Sequence, residues 1–258
     1  MYNRFAYCRE SFVPQDDKIL IFAASFTIIC TFKPMCAKNL IHDTSHISYE
    51  SLLAGNKVFI ENALQTDPDY FTKLANGQKP PVLWIGCADS RVPANQITNT
   101  SPGEIFVHRN IANMVIHSDM NMLSVLDYAV NVLEVKHVIV TGHYGCGGVM
   151  AAMTNHQFGL IDNWLRHIKD VYRLHASKLD LIKDEKERAD KLVEYNVVEN
   201  VYNLCKTSIV QNAWQKGKKL GVHGWVYSIE TGIIKDMNVS TYDDANMGEV
   251  FRFEHKES

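Results

Sequence analysis

From Ile47 onward, apolar residues recur three and four apart: Tyr49, Leu52, Leu53, Phe59, Ile60, Ala63 and Leu64. That period predicts one amphipathic helix with a stripe to bury. Asp67-Pro68 then opens a second short helix carrying Tyr70, Phe71 and Leu74, which Gly77 and Pro80 close. Beyond it the pattern changes to short Val- and Ile-rich runs at 82–85, 105–107 and 137–141, each predicting a strand. A turn at Ser101-Pro102-Gly103 separates the first two. Met122, Leu123, Val125, Leu126, Ala129, Val130 and Leu133 predict a helix between the second and third. Two more helices follow at 161–175 and 185–206. The second is rich in Lys, Asp and Glu at its start, and Val197, Val198, Val201, Tyr202 and Leu204 mark its inner side. Residues 222–229 return to strand chemistry, turn at Glu230-Thr231-Gly232 and run back through 233–239 as a hairpin.

Strands alternating with helices predict the α/β class. The expected architecture is a mostly parallel central β-sheet flanked by helices, with right-handed crossovers, an N-terminal helical arm and a C-terminal β-hairpin. At 258 residues one core suffices, and no linker divides the middle of the chain. Residues 46–258 read as one catalytic domain and 1–45 as an extension. Within the extension, 19–32 is apolar but short of the roughly 20 residues that span a bilayer. Arg4 and Arg9 precede it as in a signal peptide, while Asp16, Asp17 and Lys33-Pro34 are wrong for one. A translation start at Met35 is the other reading.

Net charge is −3 with acids and bases interspersed, so no basic stripe marks a nucleic-acid partner, and no membrane partner is expected. Cys8, Cys30, Cys36, Cys87, Cys146 and Cys205 form no paired framework. That suits a reducing compartment, the cytoplasm, and leaves thiols free for metal or catalysis.

The chemistry gathers after two strands, in Leu83-Trp-Ile-Gly-Cys-Ala-Asp-Ser-Arg-Val-Pro93 and Gly142-His-Tyr-Gly-Cys-Gly-Gly148. Groups leaving the carboxyl ends of neighbouring parallel strands converge on one crevice. Cys87, His143 and Cys146 are two thiols and an imidazole, a set that zinc takes, and three protein ligands leave the fourth tetrahedral position open. A closed structural site would need a further donor; His137 lies in a strand and Cys205 in a helix. Asp89 and Arg91 can reach the same cavity. Asp89 either pairs with Arg91 and orients the attacking water, or leaves it and becomes the fourth metal ligand, shutting the site. Taken singly, each of these is an inert core thiol, a chance His-x-x-Cys or a surface ion pair. A cysteine phosphatase fits poorly, because C-x5-R spacing from Cys87 arrives at Pro93 and Arg91 comes two places early. A non-catalytic, zinc-bound interaction module is the alternative from another class.

The run from Lys79 to Met150, with Pro102-Gly-Glu-Ile-Phe-Val-His-Arg-Asn-Ile-Ala-Asn113 between the two motifs, resembles a β-class carbonic anhydrase. The likeness continues through His223-Gly-Trp-Val-Tyr227. It implies that Cys87, His143 and Cys146 hold one catalytic Zn2+ and that Asp89 and Arg91 form the catalytic dyad. The implied reaction is reversible hydration of carbon dioxide to bicarbonate and a proton. It also implies a substrate pocket of Gln78, Phe106 and Tyr128, the last from a dimer partner, although the bland reading of both rings is ordinary core. A bacterial, bicarbonate-regulated subset of the family carries a Trp, Arg and Tyr that bind bicarbonate away from the metal; Trp84, Arg109 and Tyr227 match them. Filling that site favours Asp89 on zinc, so the expectation is bicarbonate inhibition and activity that rises toward alkaline pH. Homodimers or homotetramers are implied as well. Carbon disulfide or carbonyl sulfide hydrolysis with the same ligands is the chemical alternative, and under the resemblance the non-catalytic module would be a zinc-stabilised bicarbonate-binding one. His108 and His117 stand as candidate proton shuttles, each also readable as a satisfied or solvated side chain.

Overall fold

The computed structural model describes residues 44–254. The apolar run 19–32 and Met35 lie outside them. Two units divide the chain, one through Ile60 and one from Glu61. The first unit carries the start of helix α1 (Tyr49–Thr66), and no residue of α1 is buried. Leu52, Leu53 and Leu64, expected to face a core, are 63, 54 and 41 % exposed. The helix forms as its period predicts; its apolar stripe is not buried among the described residues.

In the second unit, α2 (Tyr70–Ala75) leads to β1 (Val82–Cys87), α3 (Ala94–Ile97), β2 (Ile105–Asn110) and α4 (Met120–Asp127). Then come β3 (His137–His143), α5 (Gly147–Ala152), α6 (Asp162–Leu179), α7 (Glu185–Cys205), α8 (Ser208–Gln215), β4 (Gly221–Tyr227) and β5 (Ile234–Asp236). The sheet order is β2-β1-β3-β4-β5. All neighbours are parallel except β4 and β5, which form the expected hairpin. The chain steps from β1 outward to β2 and returns to the other side of β1 as β3. Connections therefore diverge between the carboxyl ends of β1 and β3, the switch point where such sheets open a crevice.

Strand alternation assigns the two faces of the sheet. Leu83 and Ile85 on β1, Val138 and Val140 on β3, and Val222 and Val226 on β4 are buried in one core with Ile168, Leu192, Val197 and Leu204 of the helices. Helix α7 lies so close to β3 that a Cβ on Gly142 would stand 2.7 Å from Val197 Cγ2. Trp84, Arg109, Thr141, Trp225 and Tyr227 alternate onto the opposite face.

Three differences from the expected elements have physical causes. The helix expected through Leu133 leaves α geometry at Tyr128 and runs as a π segment, Tyr128–Val132. Its apolar positions still reach the core, since Ala129, Val130 and Leu133 are buried. Helices α3, α5 and α8 are too short to show a period; α8 is started by Thr207, whose hydroxyl accepts from Val210 N–H. Strands β1 and β3 extend two residues further than their Val/Ile runs, because the backbone ladder, not the side chains, carries pairing through Cys87 and His143. None of the described helices is long and apolar enough to cross a membrane.

Candidate metal centre and active site

Cys87 closes β1, His143 closes β3, and Cys146 stands at the start of α5 after a turn that places Gly145 at φ +69°. Glycine adopts that left-handed backbone without penalty. The donor atoms of these three buried residues all lie within 4.8 Å of one another. The sulfurs are 4.0 Å apart, against about 3.8 Å for two thiolates on a tetrahedral zinc at ~2.3 Å bonds.

The imidazole is prepared for the same purpose. His143 Nδ1 lies 3.0 Å from the carbonyl oxygen of Tyr144. A carbonyl only accepts, so Nδ1 carries the proton and Nε2 the lone pair. Nε2 is buried and has no hydrogen-bond partner among the described residues. A buried nitrogen lone pair without a partner costs free energy unless a cation takes it. Here that lone pair is the third corner of the donor set, so the residues fit a soft, borderline dication such as zinc. No fourth protein donor joins them among the described residues. His137 instead pairs with His223 at 3.0 Å. Cys205 is a buried thiol pushed up to about 12 by desolvation.

Backbone N–H groups surround the sulfurs. Asp89 and Ala112 donate to Cys87, and Gly148 and Val149, in the first turn of α5, donate to Cys146. Ala112 has φ +62° and Asn113 follows at φ +50°. Such backbone is costly for a residue with a Cβ and persists where neighbours over-determine it. Asn196 Nδ2 donates to Ala112 O at 3.0 Å, and Trp164 Nε1 to Ile111 O at 2.8 Å. The hydrogen bond between the two thiols lowers Cys87 below the usual thiol range and raises Cys146 above it. A bound dication would ionise both.

Asp89 follows on the loop after β1 and is clamped by Arg91. Arg91 Nε donates to Oδ1 at 2.9 Å, Nη2 to Oδ2 at 2.7 Å, and the Arg91 backbone N–H to Oδ1 at 3.0 Å. The side-chain bonds of Arg91 are the main cause that holds Asp89 down at about 2. Oδ2 lies 3.7 Å from His143 Nε2. Of the two arrangements expected for Asp89, this chain adopts the Arg91-paired one.

The remaining expected residues divide. Trp84 is buried and meets Trp225 edge-on at 6.1 Å. Its Nε1 lies 2.3 Å from where a Cβ on Gly86 would be, so only glycine leaves the indole N–H its place. Arg109 is paired in register with Gly86 and donates to the carbonyl oxygens of Cys87, at 2.8 Å, and Asp89. Tyr227 is the register partner of His143. The structure therefore brings Trp84, Arg109 and Tyr227 to the sheet face beside the ligands. Phe106 and Tyr128 pack on one another with ring centroids 5.9 Å apart. Phe106 is opposite Leu83, four residues before Cys87, so these rings do not join the donor set within one chain. Gln78 is exposed in the loop before β1. His108 is buried and lowered by desolvation, and its Nε2 lies 3.3 Å from Asn110 Nδ2, while His117 Nε2 donates to Asn203 O.

Sequence reasoning passed over Ala112, whose N–H matters and whose side chain carries no signal. It also passed over Tyr144 and Glu194, which join behind the ligand turn: Tyr144 Oη donates to Glu194 Oε1 at 2.8 Å. Glu194 was detectable as an acid among the apolar positions of α7.

A sequence profile described as "Carbonic anhydrase" matches residues 82–234. The chain is 47 % identical over 192 residues to a carbonic anhydrase of Emericella nidulans, covering 74 % of this chain and 84 % of that one. Among solved structures it resembles a tetrameric β-carbonic anhydrase of Sordaria macrospora, at 39 % identity and TM-score 0.72, covering 75 % of this chain and 98 % of that one. A Coccomyxa β-carbonic anhydrase, solved with acetazolamide, is 38 % identical with TM-score 0.74, covering 77 % of this chain and 90 % of that one. With the profile spanning strands β1 to β4, including both ligand strands, this chain belongs to the β-carbonic anhydrase family and is an enzyme of that family.

Proposed function

We propose that the chain catalyses reversible hydration of carbon dioxide to bicarbonate and a proton at a zinc held by Cys87, His143 and Cys146. The observation that carries this reading is the orphaned, buried Nε2 of His143, converging with two sulfurs beside an Asp–Arg pair. When bound, zinc would supply Lewis acidity, bringing the pKa of water down to about 7, so that a nucleophile exists at neutral pH. The chain's residues do the rest. The N–H groups on both sulfurs spread the thiolate charge. Asp89, with Oδ2 toward the donor set, accepts a hydrogen bond from the attacking water oxygen and turns its lone pair toward the carbon. Because Arg91 holds that carboxyl near 2, Asp89 orients the water and is too weak a base to keep the proton, which leaves to buffer.

Bicarbonate regulation belongs to the same proposal. The guanidinium of Arg109, the indole N–H of Trp84 and the phenol of Tyr227 suit a small planar anion. Thr141 Oγ1, on the same face, is buried with no partner among the described residues. An anion drawn to Arg109 competes with the carbonyls of Cys87 and Asp89 and loosens the loop that holds Asp89 on Arg91. We assign the pocket roles of Gln78, Phe106 and Tyr128 to an assembly in which a second copy contributes. The similarity to a tetrameric enzyme and the exposed stripe of α1 support such a homo-oligomer.

The test is stopped-flow hydration on zinc-quantified protein, scanned from neutral to alkaline pH with and without bicarbonate. Turnover should rise with pH and fall with bicarbonate, and Trp84→Phe should lose the second effect. Full zinc with no hydration, or with turnover of carbon disulfide alone, would overturn the assignment.

A further inference from the structure

Behind the turn that carries two metal ligands sits a buried carboxylate that the proposed reaction does not use. Glu194 on α7 is 7 % exposed. Its Oε1 accepts from Tyr144 Oη at 2.8 Å and from Lys235 Nζ at 2.6 Å, and its Oε2 accepts from Lys191 Nζ at 2.7 Å. Desolvation opposes its charge, yet the three donors hold it below the ordinary carboxylate range. A buried acid kept ionised by partners from α7, β5 and the ligand turn is a fixed point to which that turn is tied.

Tyr144 is the residue between the ligand His143 and the glycine of the turn to Cys146, and it is fixed at three atoms. Its N–H donates to Tyr227 O at 3.0 Å, its carbonyl accepts from His143 Nδ1 at 3.0 Å, and its hydroxyl reaches Glu194. The first bond continues the β3–β4 ladder and leaves the next peptide free to rotate into the turn. The carbonyl direction, and with it the imidazole plane, then depends on where the tyrosine ring is held.

We propose that Glu194 is a positioning residue of the metal centre, fixing through Tyr144 the carbonyl that orients His143 and thereby setting how firmly the site keeps its zinc. This rests on the reading of His143 as a zinc ligand. Partners of a metal-bound histidine's second nitrogen are worth roughly 10- to 100-fold in metal affinity. Here the outer partner is a backbone carbonyl, so its control passes to the group that anchors that residue. Lys235 and Lys191 hold Glu194 by their own hydrogen bonds and make none to Tyr144 among the described residues.

The experiment uses the full chain, zinc-loaded, in four variants: Tyr144→Phe, Glu194→Leu, Glu194→Gln and Lys235→Met. Zinc loss to a chromogenic chelator, the absorption bands of the cobalt(II)-substituted protein and thermal stability are recorded for each. Tyr144→Phe, which deletes one oxygen, and Glu194→Leu should speed zinc loss by about tenfold to a hundredfold and shift the cobalt bands. Glu194→Gln keeps an acceptor for Tyr144 and should recover most of the retention. Lys235→Met should lose stability while keeping native zinc retention and cobalt spectrum. Wild-type retention and spectrum in Tyr144→Phe would overturn the proposal, as would zinc loss that simply follows thermal stability across the set. Native protein that binds no zinc would overturn both this proposal and the metal reading. Native protein that holds zinc beside an unaffected Tyr144→Phe would overturn this proposal alone.

Discussion

Asp89 is the residue on which the proposed chemistry turns, and its partner was legible two places along the chain. What the spacing left open was which of two positions the carboxylate takes; the bidentate clamp of Arg91 is a tertiary fact. Removing its charge in Asp89→Asn should lower kcat/KM by roughly 10- to 100-fold with zinc content retained, checked by stopped-flow hydration and metal analysis. The linkage sign follows from a folded value of about 2 against an ordinary 3.8. A carboxyl depressed by folding contributes stability that is complete above 3.8 and is lost as pH falls through about 2. The stability difference between native protein and Asp89→Asn should therefore be flat from neutral pH down to mild acid and narrow only below it. Chemical denaturation across that range measures it. Any loss of activity near neutrality then has another origin than protonation of Asp89.

At the scale of elements, the site exists because β1 and β3 are neighbours and end together. Periodicity predicted both strands and the long helices α6 and α7, since each carries enough apolar positions to fix a phase. It had no purchase on α3, α5 and α8, nor on the π segment at Tyr128–Val132. Local hydrogen bonds decide those, and they leave no repeat. Close approach is also an element-scale property. Gly142 lets α7 rest on β3 one residue from His143, and a methyl there would stand 2.7 Å from Val197 and 3.3 Å from Val193. Gly142→Ala should cost about 1–3 kcal/mol, read from urea midpoints, because β-branched valines in a packed core have little room to give. Zinc affinity should fall with it as β3 is pushed from α7.

Over the whole molecule, two predictions concern what completes the chain. Stripping metal should lower the melting temperature, and restoring zinc at a hundredfold over its Kd should return about 2.7 kcal/mol of stability. Calorimetry with chelator and with added zinc checks this. Charging the exposed stripe of α1, in Leu52→Asp with Leu64→Asp, should dissociate the proposed homo-oligomer to smaller species in sedimentation velocity. Fold class was legible in the sequence because the alternation of two periods, near two and near 3.6, admits few arrangements. So were the candidate donors Cys87, His143 and Cys146 and the pair Asp89 and Arg91, because ligand chemistry limits which side chains serve and the strand ends say where they gather. The tertiary structure alone decided the tautomer of His143, the pairing of Asp89, the left-handed turn at Ala112 and the anchor at Glu194. The turn at Ala112 and the anchor at Glu194 depend on groups brought together from distant parts of the chain; the tautomer and the pairing of Asp89 join sequence neighbours, whose side-chain directions only the folded backbone sets.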